Sequence, residues 1–356
     1  MSFSYKNILI INTFGIGDVL FTTPLVTNIK RKSPKTRIGY IVNKRTADIL
    51  WNNPQVDEVF VYERDEFNAL YRRSKTAFLK KVRALIKEIK MRRYDAVLDL
   101  SMNTAAGFFM MLAGIRTRIG FDYKGRGRFL TQKIPLSGYE GRHVVLFYLD
   151  LLRYLGVDPQ ECPMIFPPAR EAQERVSDLL QQHGLTGCVI VIVPGGGASW
   201  GRDAPRKHWS AEKFAQMADR LVKSCGAKII LAGGPKDKKI SREIQYKMTA
   251  AAVDLTGELS PEESVALFQK GHLVVTNDGG PLHMAAAAGA RTVSIFGPVD
   301  EHVYGPYPPQ GHRTVSLDIA CRPCYRRFRV AQCDHISCLR DLSVDRVFEA
   351  VQESLA

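Results

Sequence analysis

Short runs of Val, Ile and Leu recur along the chain, and a stretch with helical spacing follows each one. The runs read as strands at 8–12, 37–42, 58–62, 95–100, 188–193, 227–233, 251–255, 273–277 and 292–297. They are apolar at consecutive positions rather than at every second one. Strands of that kind must be covered on both faces, and parallel sheets sandwiched between helices provide the cover. The expected class is therefore α/β, with doubly wound parallel sheets.

The pattern starts afresh at "CVIVIV" (188–193), after Pro167 and Pro168 break the chain and Gly184 closes a helix. A chain of 356 residues has room for two cores. Residues 1–168 are expected to form one Rossmann-like domain and 169–340 a second, with a cleft between them. Residues 341–356 are expected to form a helix that returns to the first domain. In doubly wound sheets, ligands bind beyond the carboxyl ends of the strands.

Charge separates the halves. Residues 1–170 hold 28 Lys and Arg against 15 Asp and Glu, a net +13, whereas 171–356 hold 22 against 21. The first half should meet something anionic: nucleic acid, acidic headgroups or a phosphorylated substrate. The stretch 74–94 sets Phe78, Val82, Leu85, Ile86 and Ile89 on one helical face, with Lys75, Lys80, Lys81, Arg83, Lys87 and Lys90 around the rest. That pattern suits an outer helix packed on a sheet. It also suits a basic face resting on an anionic membrane, where each Lys or Arg near the headgroups contributes about 1 kcal/mol. No run reaches the roughly 20 apolar residues of a spanning helix. The chain enters a strand within a few residues of its start and shows no signal-peptide order, so a cytoplasmic protein is expected. Seven cysteines, an odd number, fit a reducing compartment.

Three strand ends are rich in glycine. In "INTFGIGDVL", Gly15 and Gly17 allow a tight turn before a helix, and Asp18 opens that helix. A dinucleotide fingerprint would need glycine where Leu20 stands. Asp18 reads either as a helix cap or as a carboxylate kept ionised at the helix start, suited to act as a general base. In "NDGGPLHMAAAAG", Gly279 and Gly280 turn the chain after Asp278, and Pro281 begins a helix whose free N–H groups suit phosphate oxygens. Asp278 reads as a cap or as an acceptor for sugar hydroxyls. His283 reads as a packed helix histidine or as a phosphate donor. In "VPGGGASWGRDAPRKHWS", three glycines precede Arg202, Arg206 and Lys207, and Ser210 is the expected cap of the next helix. A flexible loop would look the same, but backbone amides with a lysine suit a diphosphate.

Taken together, "GIGDVLFTTPL", "PRKHWSAEKFAQMADRL", "NDGGPLHMAAAAG" and "IFGPVD" make the chain resemble glycosyltransferase family nine, the ADP-heptose:lipopolysaccharide heptosyltransferases, over nearly its whole length. The cysteine-rich tail points to the heptosyltransferase II type. The resemblance implies a GT-B architecture, two Rossmann-like domains facing across a cleft, the first for the acceptor and the second for the ADP-activated sugar. It implies an inverting transfer to the lipopolysaccharide inner core, with no cofactor or bound metal. Asp18 matches the catalytic base, with Gly15 and Gly17 in the loop near the acceptor. Lys207 matches the lysine on the donor phosphates. Asp278, Gly279, Gly280 and His283 match the donor loop, and Asp237 matches an acid that contacts the ribose. A phosphorylated acceptor would account for the basic first half, and an anionic inner-membrane surface is the further partner. Nucleic acid is disfavoured by the near-neutral second half and the lack of an aromatic RNP-type motif. Three other readings stay open: transfer of a different nucleotide-activated sugar to a cell-surface glycan, nucleotide-sugar binding without catalysis, and a sugar-nucleotide epimerase or hydrolase on the same architecture.

The tail places Cys321, Cys324, Cys333 and Cys338 in the spacing C-x2-C-x8-C-x4-C. Four thiolates can hold a structural zinc or an iron–sulfur cluster, and the same spacing fits reduced cysteines in an irregular connection. No catalytic role is expected of them.

Overall fold

The computed structural model describes residues 3–356. Among them the chain divides into two units, 3–139 with 144–162, and 140–143 with 163–356. The first sheet contains β1 (Asn7–Ile11), β2 (Arg37–Val42), β3 (Glu58–Val61), β4 (Ala96–Asp99), β5 (Thr117–Tyr123) and β6 (Gln132–Leu136). Its order is β3-β2-β1-β4-β5-β6, and every neighbouring pair is parallel. The second sheet contains β7 (Val189–Val193), β8 (Lys228–Leu231), β9 (Ala252–Asp254), β10 (Leu273–Asn277), β11 (Thr292–Phe296) and β12 (His312–Ser316). Its order is β12-β11-β10-β7-β8-β9, again parallel throughout. Counted from its own first strand, each sheet runs 3-2-1-4-5-6. Each unit is thus Rossmann-like by itself, as a GT-B chain requires.

The apolar runs became the central strands. β1, β4, β7 and β10 have hardly an exposed residue, because helices cover both faces. β5, β6 and β12 were not legible as strands. "TRIGFDY", "QKIPL" and "HRTVS" carry charges or a proline, which sheet margins tolerate because one side faces water.

The helix Lys75–Met91 starts where Ser74 Oγ accepts the Ala77 N–H at 3.2 Å. Its Val82 and Ile89 are buried, while Leu85 and Ile86 pack on the same cluster as Leu9, Ile11 and Val97. The apolar face read from the sequence is the face that packs.

The closing helix, Val344–Leu355, corrects an expectation. It stays with the second unit instead of returning to the first. Val347, Phe348 and Val351 lie in the core with Ile190, Val275, Trp209 and Phe214. The tail leading into it is tied down as well: the Trp209 indole donates to Leu342 O at 3.1 Å, and Lys213 Nζ donates to the same oxygen at 2.8 Å. The helix's amphipathic stripe is satisfied within its own unit. The chain crosses between units after Cys162, a few residues before the expected 168.

Candidate functional site

In a sheet of order 3-2-1-4-5-6, the connections after strands 1 and 4 leave in opposite directions and open a crevice at the carboxyl edge. The glycine-rich junctions fall at these points. The loop after β1 holds Gly15, Gly17 and Asp18, and the loop after β4 holds Ser101. The loop after β7 holds Gly195, Gly196 and Gly197, and the loop after β10 holds Asp278, Gly279 and Gly280.

In the first unit, the short helix Ile16–Leu20 follows Gly15 directly. Asp18 reaches back so that its Oδ2 accepts the Gly15 N–H at 3.0 Å. Asn12 donates to Asp18 O at 2.9 Å, and Asn43 donates to Phe14 O at 2.6 Å. Asp18 therefore does serve as a cap, and it is only partly buried. Capping occupies one face of one carboxylate oxygen. An ionised carboxylate has about four lone-pair sites, so the cap role and a role toward a hydroxyl are compatible.

Sequence reasoning missed a second acid here. Asp99 ends β4 opposite Ile11 and is almost fully buried. Burial pushes its carboxyl up to about 6, against the opposing pull of the Ser101 O–H at 2.6 Å and the Ser101 N–H at 3.0 Å. The available signal was an acid at the end of an apolar strand, "AVLDLS", the same arrangement as "VVTND".

In the second unit, the structure brings Lys207, Asp237, Asp278 and Gly279 against one loop, 195–197, while Gly280 and His283 lie on the helix that follows Gly279. Lys207 and Asp278 form a buried ion pair at 2.6 Å, with side chains 8% and 4% exposed. The contact is ionic and lacks the alignment of a regular hydrogen bond on Asp278 Oδ2. The Lys207 ammonium also sits over the Trp200 ring, 4.3 Å from its centre. A Cβ on Gly279 would come within 2.9 Å of the Gly197 nitrogen, so only glycine lets these two loops touch. A Cβ on Gly195 would overlap the Asp237 carboxylate, which places Asp237 against the same loop. Asp237 Oδ2 accepts the Gly234 N–H at 2.8 Å. Gly280 and Pro281 open the helix Gly280–Ala287.

His283, one turn into that helix, is buried. Burial, then the proximity of His143 and of the Lys207 charge, drives its pKa down to about 3. It is a neutral imidazole at ordinary pH and can offer a phosphate an N–H but no charge. His143 had no sequence signal. It belongs to the 140–143 excursion, stacks on Tyr307 at 4.8 Å, and bonds Gly305 O through Nε2 at 3.1 Å. Trp200 was also missed; its ring lies 5.1 Å from Tyr325.

Ser210 caps its helix as expected, accepting the Lys213 N–H at 3.3 Å. Arg206 pairs with Asp203 at 3.3 Å. Of the cysteines, Cys338 is buried in the second core and Cys321 is exposed, while Cys324 and Cys333 are intermediate. Burial raises the Cys338 thiol to about 11. Among the described residues, no three His, Cys, Asp or Glu side chains form a group that could hold a metal ion.

Paired Rossmann-like units of this order, with glycine-rich loops at their switch points, are the two-domain α/β architecture of the GT-B class. Within that class the chain belongs to glycosyltransferase family 9 (heptosyltransferase), whose family model matches residues 82–335. It is 28% identical over 301 residues to lipopolysaccharide heptosyltransferase 3 of Escherichia coli, covering 82% of this chain and 83% of that one. A family 9 glycosyl transferase from Veillonella parvula superposes with a TM-score of 0.85 at 23% identity, over 100% of this chain and 98% of that one. The E. coli ADP-heptose heptosyltransferase II does so with a TM-score of 0.77 at 22% identity, over 98% of each chain.

Proposed function

We propose that the protein transfers a heptose from ADP-heptose to the inner core of lipopolysaccharide, with inversion at the anomeric carbon and without a cofactor. The observation that carries this reading is the convergence of Lys207, Asp237, Asp278 and Gly279 on the loop 195–197, at the switch point of the second sheet, with Gly280 and His283 on the helix that starts there. The named activities of the relatives support the sugar and the acceptor.

In the proposed reaction, Asp18 takes the proton of an acceptor hydroxyl. That oxygen forms its bond to the anomeric carbon as the bond from that carbon to the ADP oxygen breaks, and ADP departs with the electron pair. The negative charge gathering on the diphosphate is met by the Lys207 ammonium, the free N–H groups at the start of the helix Gly280–Ala287 and a neutral His283 N–H. Asp237 and Asp278 accept hydroxyls of the ribose and the heptose. The basic first half fits a phosphorylated acceptor, and the work is assigned to the cytoplasmic face of the inner membrane.

Incubation with ADP-heptose and a panel of truncated core acceptors, read by mass spectrometry, tests the sugar and the acceptor. Asp18→Asn tests the base. Asparagine keeps an oxygen for the Gly15 N–H, so the loop holds its shape. Turnover should fall about 10²–10⁴-fold, the usual weight of a general base, with donor affinity unchanged. Loss of donor binding instead would remove Asp18 from that role.

A further inference from the structure

The helix Thr104–Leu112 has the sequence TAAGFFMML, without a single charge or strongly polar side chain after its first residue. A helix apolar all round is normally buried all round. This one is buried only along Gly107 and Met110, which face the first sheet. Its opposite side leaves Phe108, Met111 and Leu112 36%, 38% and 49% exposed. Single exposed apolar residues are ordinary. Three on one face of one helix, in positions i, i+3 and i+4, form a patch that asks for a partner.

The rim of the patch is basic. Phe108 leans on Phe129 with ring centres 5.2 Å apart, and the Arg128 guanidinium lies over Phe129 at 5.8 Å. Arg128, Arg126 and Lys124 are all exposed on this turn. The carboxylate of the turn, Asp122, is engaged by Lys133 at 2.9 Å and by the Gly127 N–H at 2.9 Å. On the other flank lies the helix Lys75–Met91, whose Leu85 and Ile86 share a cluster with Ala106 and Phe109. Its exposed side carries Lys80, Arg83, Lys87 and Lys90.

We infer that Phe108, Met111 and Leu112 seat in the interface of an anionic lipid bilayer, with the turn 124–128 and the helix Lys75–Met91 resting on its headgroups. An apolar wedge with a cationic rim is the chemistry of an interfacial contact. Nine residues make a helix about 13 Å long, under half of a hydrocarbon core, so it lies in the surface and does not cross. A second copy of the chain would bring one +13 half against another, which opposes that occupant. The site would thereby be held where a lipid-linked acceptor resides, and only this consequence rests on the proposed function; the surface itself does not.

Co-sedimentation of the full chain with vesicles tests it. The chain should pellet with phosphatidylcholine vesicles containing phosphatidylglycerol and stay in solution with phosphatidylcholine alone. Arg126→Glu/Arg128→Glu should weaken binding by more than tenfold, at about fivefold for each charge lost from the surface. Met111→Ser/Leu112→Ser should also lose at least tenfold while melting like the parent. The same apolar variant should keep parental turnover on a delipidated, water-soluble acceptor, so failure of the heptosyltransferase reading shows in that assay alone. Equal pelleting with both vesicle types, undiminished binding by the Ser variant, or a dimer held through this patch in light scattering would overturn the inference.

Discussion

The buried pair of Lys207 and Asp278 is the sharpest handle on the proposed donor site. Replacing Asp278 with Asn leaves the ammonium in place, 8% exposed, with no carboxylate opposite it. Breaking a buried pair from one side costs about 3–5 kcal/mol, because a charge is stranded in a poorly hydrated place. The Trp200 face, 4.3 Å away, recovers only a part of this. For a unit of this size each kcal/mol moves the melting midpoint by about 2–4 °C, so the unit's transition should fall by about 10 °C. Lys207→Met/Asp278→Leu removes both charges and should melt near the parent, since apolar replacement of a whole buried pair is often neutral. ADP sharpens the test. Its diphosphate supplies the missing negative charge, and in the Asn variant it no longer meets a carboxylate. Scanning calorimetry with and without ADP should therefore show a larger ADP-induced rise in Asp278→Asn than in the parent. The reasoning fails if Asp278→Asn melts at the parental midpoint, or if the double variant melts as low as the single one.

Two pH effects of opposite sign are expected. Burial holds the Asp99 carboxyl near 6 in the fold, above its ordinary 3.8, so the stability tied to its protonated form is full below about 4 and is lost as pH rises through about 6. Asp99→Asn should erase that loss, worth about 3 kcal/mol, in urea titrations at pH 4 and pH 8. Burial also lowers His312 to about 4 from 6.5, so its contribution is present above about 6.5 and is lost as pH falls toward 4. His312→Gln should flatten the acid limb by about 3 kcal/mol, and an unchanged limb would argue that the imidazole is solvated. Gly279→Ala pushes a methyl group to 2.9 Å from the Gly197 nitrogen and must part the two loops. It should weaken ADP binding by about tenfold or more in calorimetry, a loss of at least about 1.4 kcal/mol, and wild-type affinity would show that the loops open freely.

The consecutive apolarity of "NILII", "AVLD", "VIVIV" and "LVVTN" could only be satisfied inside covered parallel sheets, so the class of fold was readable residue by residue. The glycine junctions were readable for a related reason. A turn that must pass within van der Waals contact of another backbone accepts no side chain, and glycine at Gly279 marks such a place before any coordinates exist. Marginal strands such as "QKIPL" were not readable, since a half-exposed strand has no obligation to be apolar. Partnership is what folding alone decided. That Lys207 answers Asp278 across 71 positions, that His143 acts on the charge of His283, and that Asp99 ends up dry depend on which strands became neighbours. The closing helix shows the same limit: its amphipathic stripe stated that it must be buried, and only the packed structure chose the sheet that buries it. Local chemistry fixes what each segment needs, whereas burial and field strength arise between segments far apart in the chain.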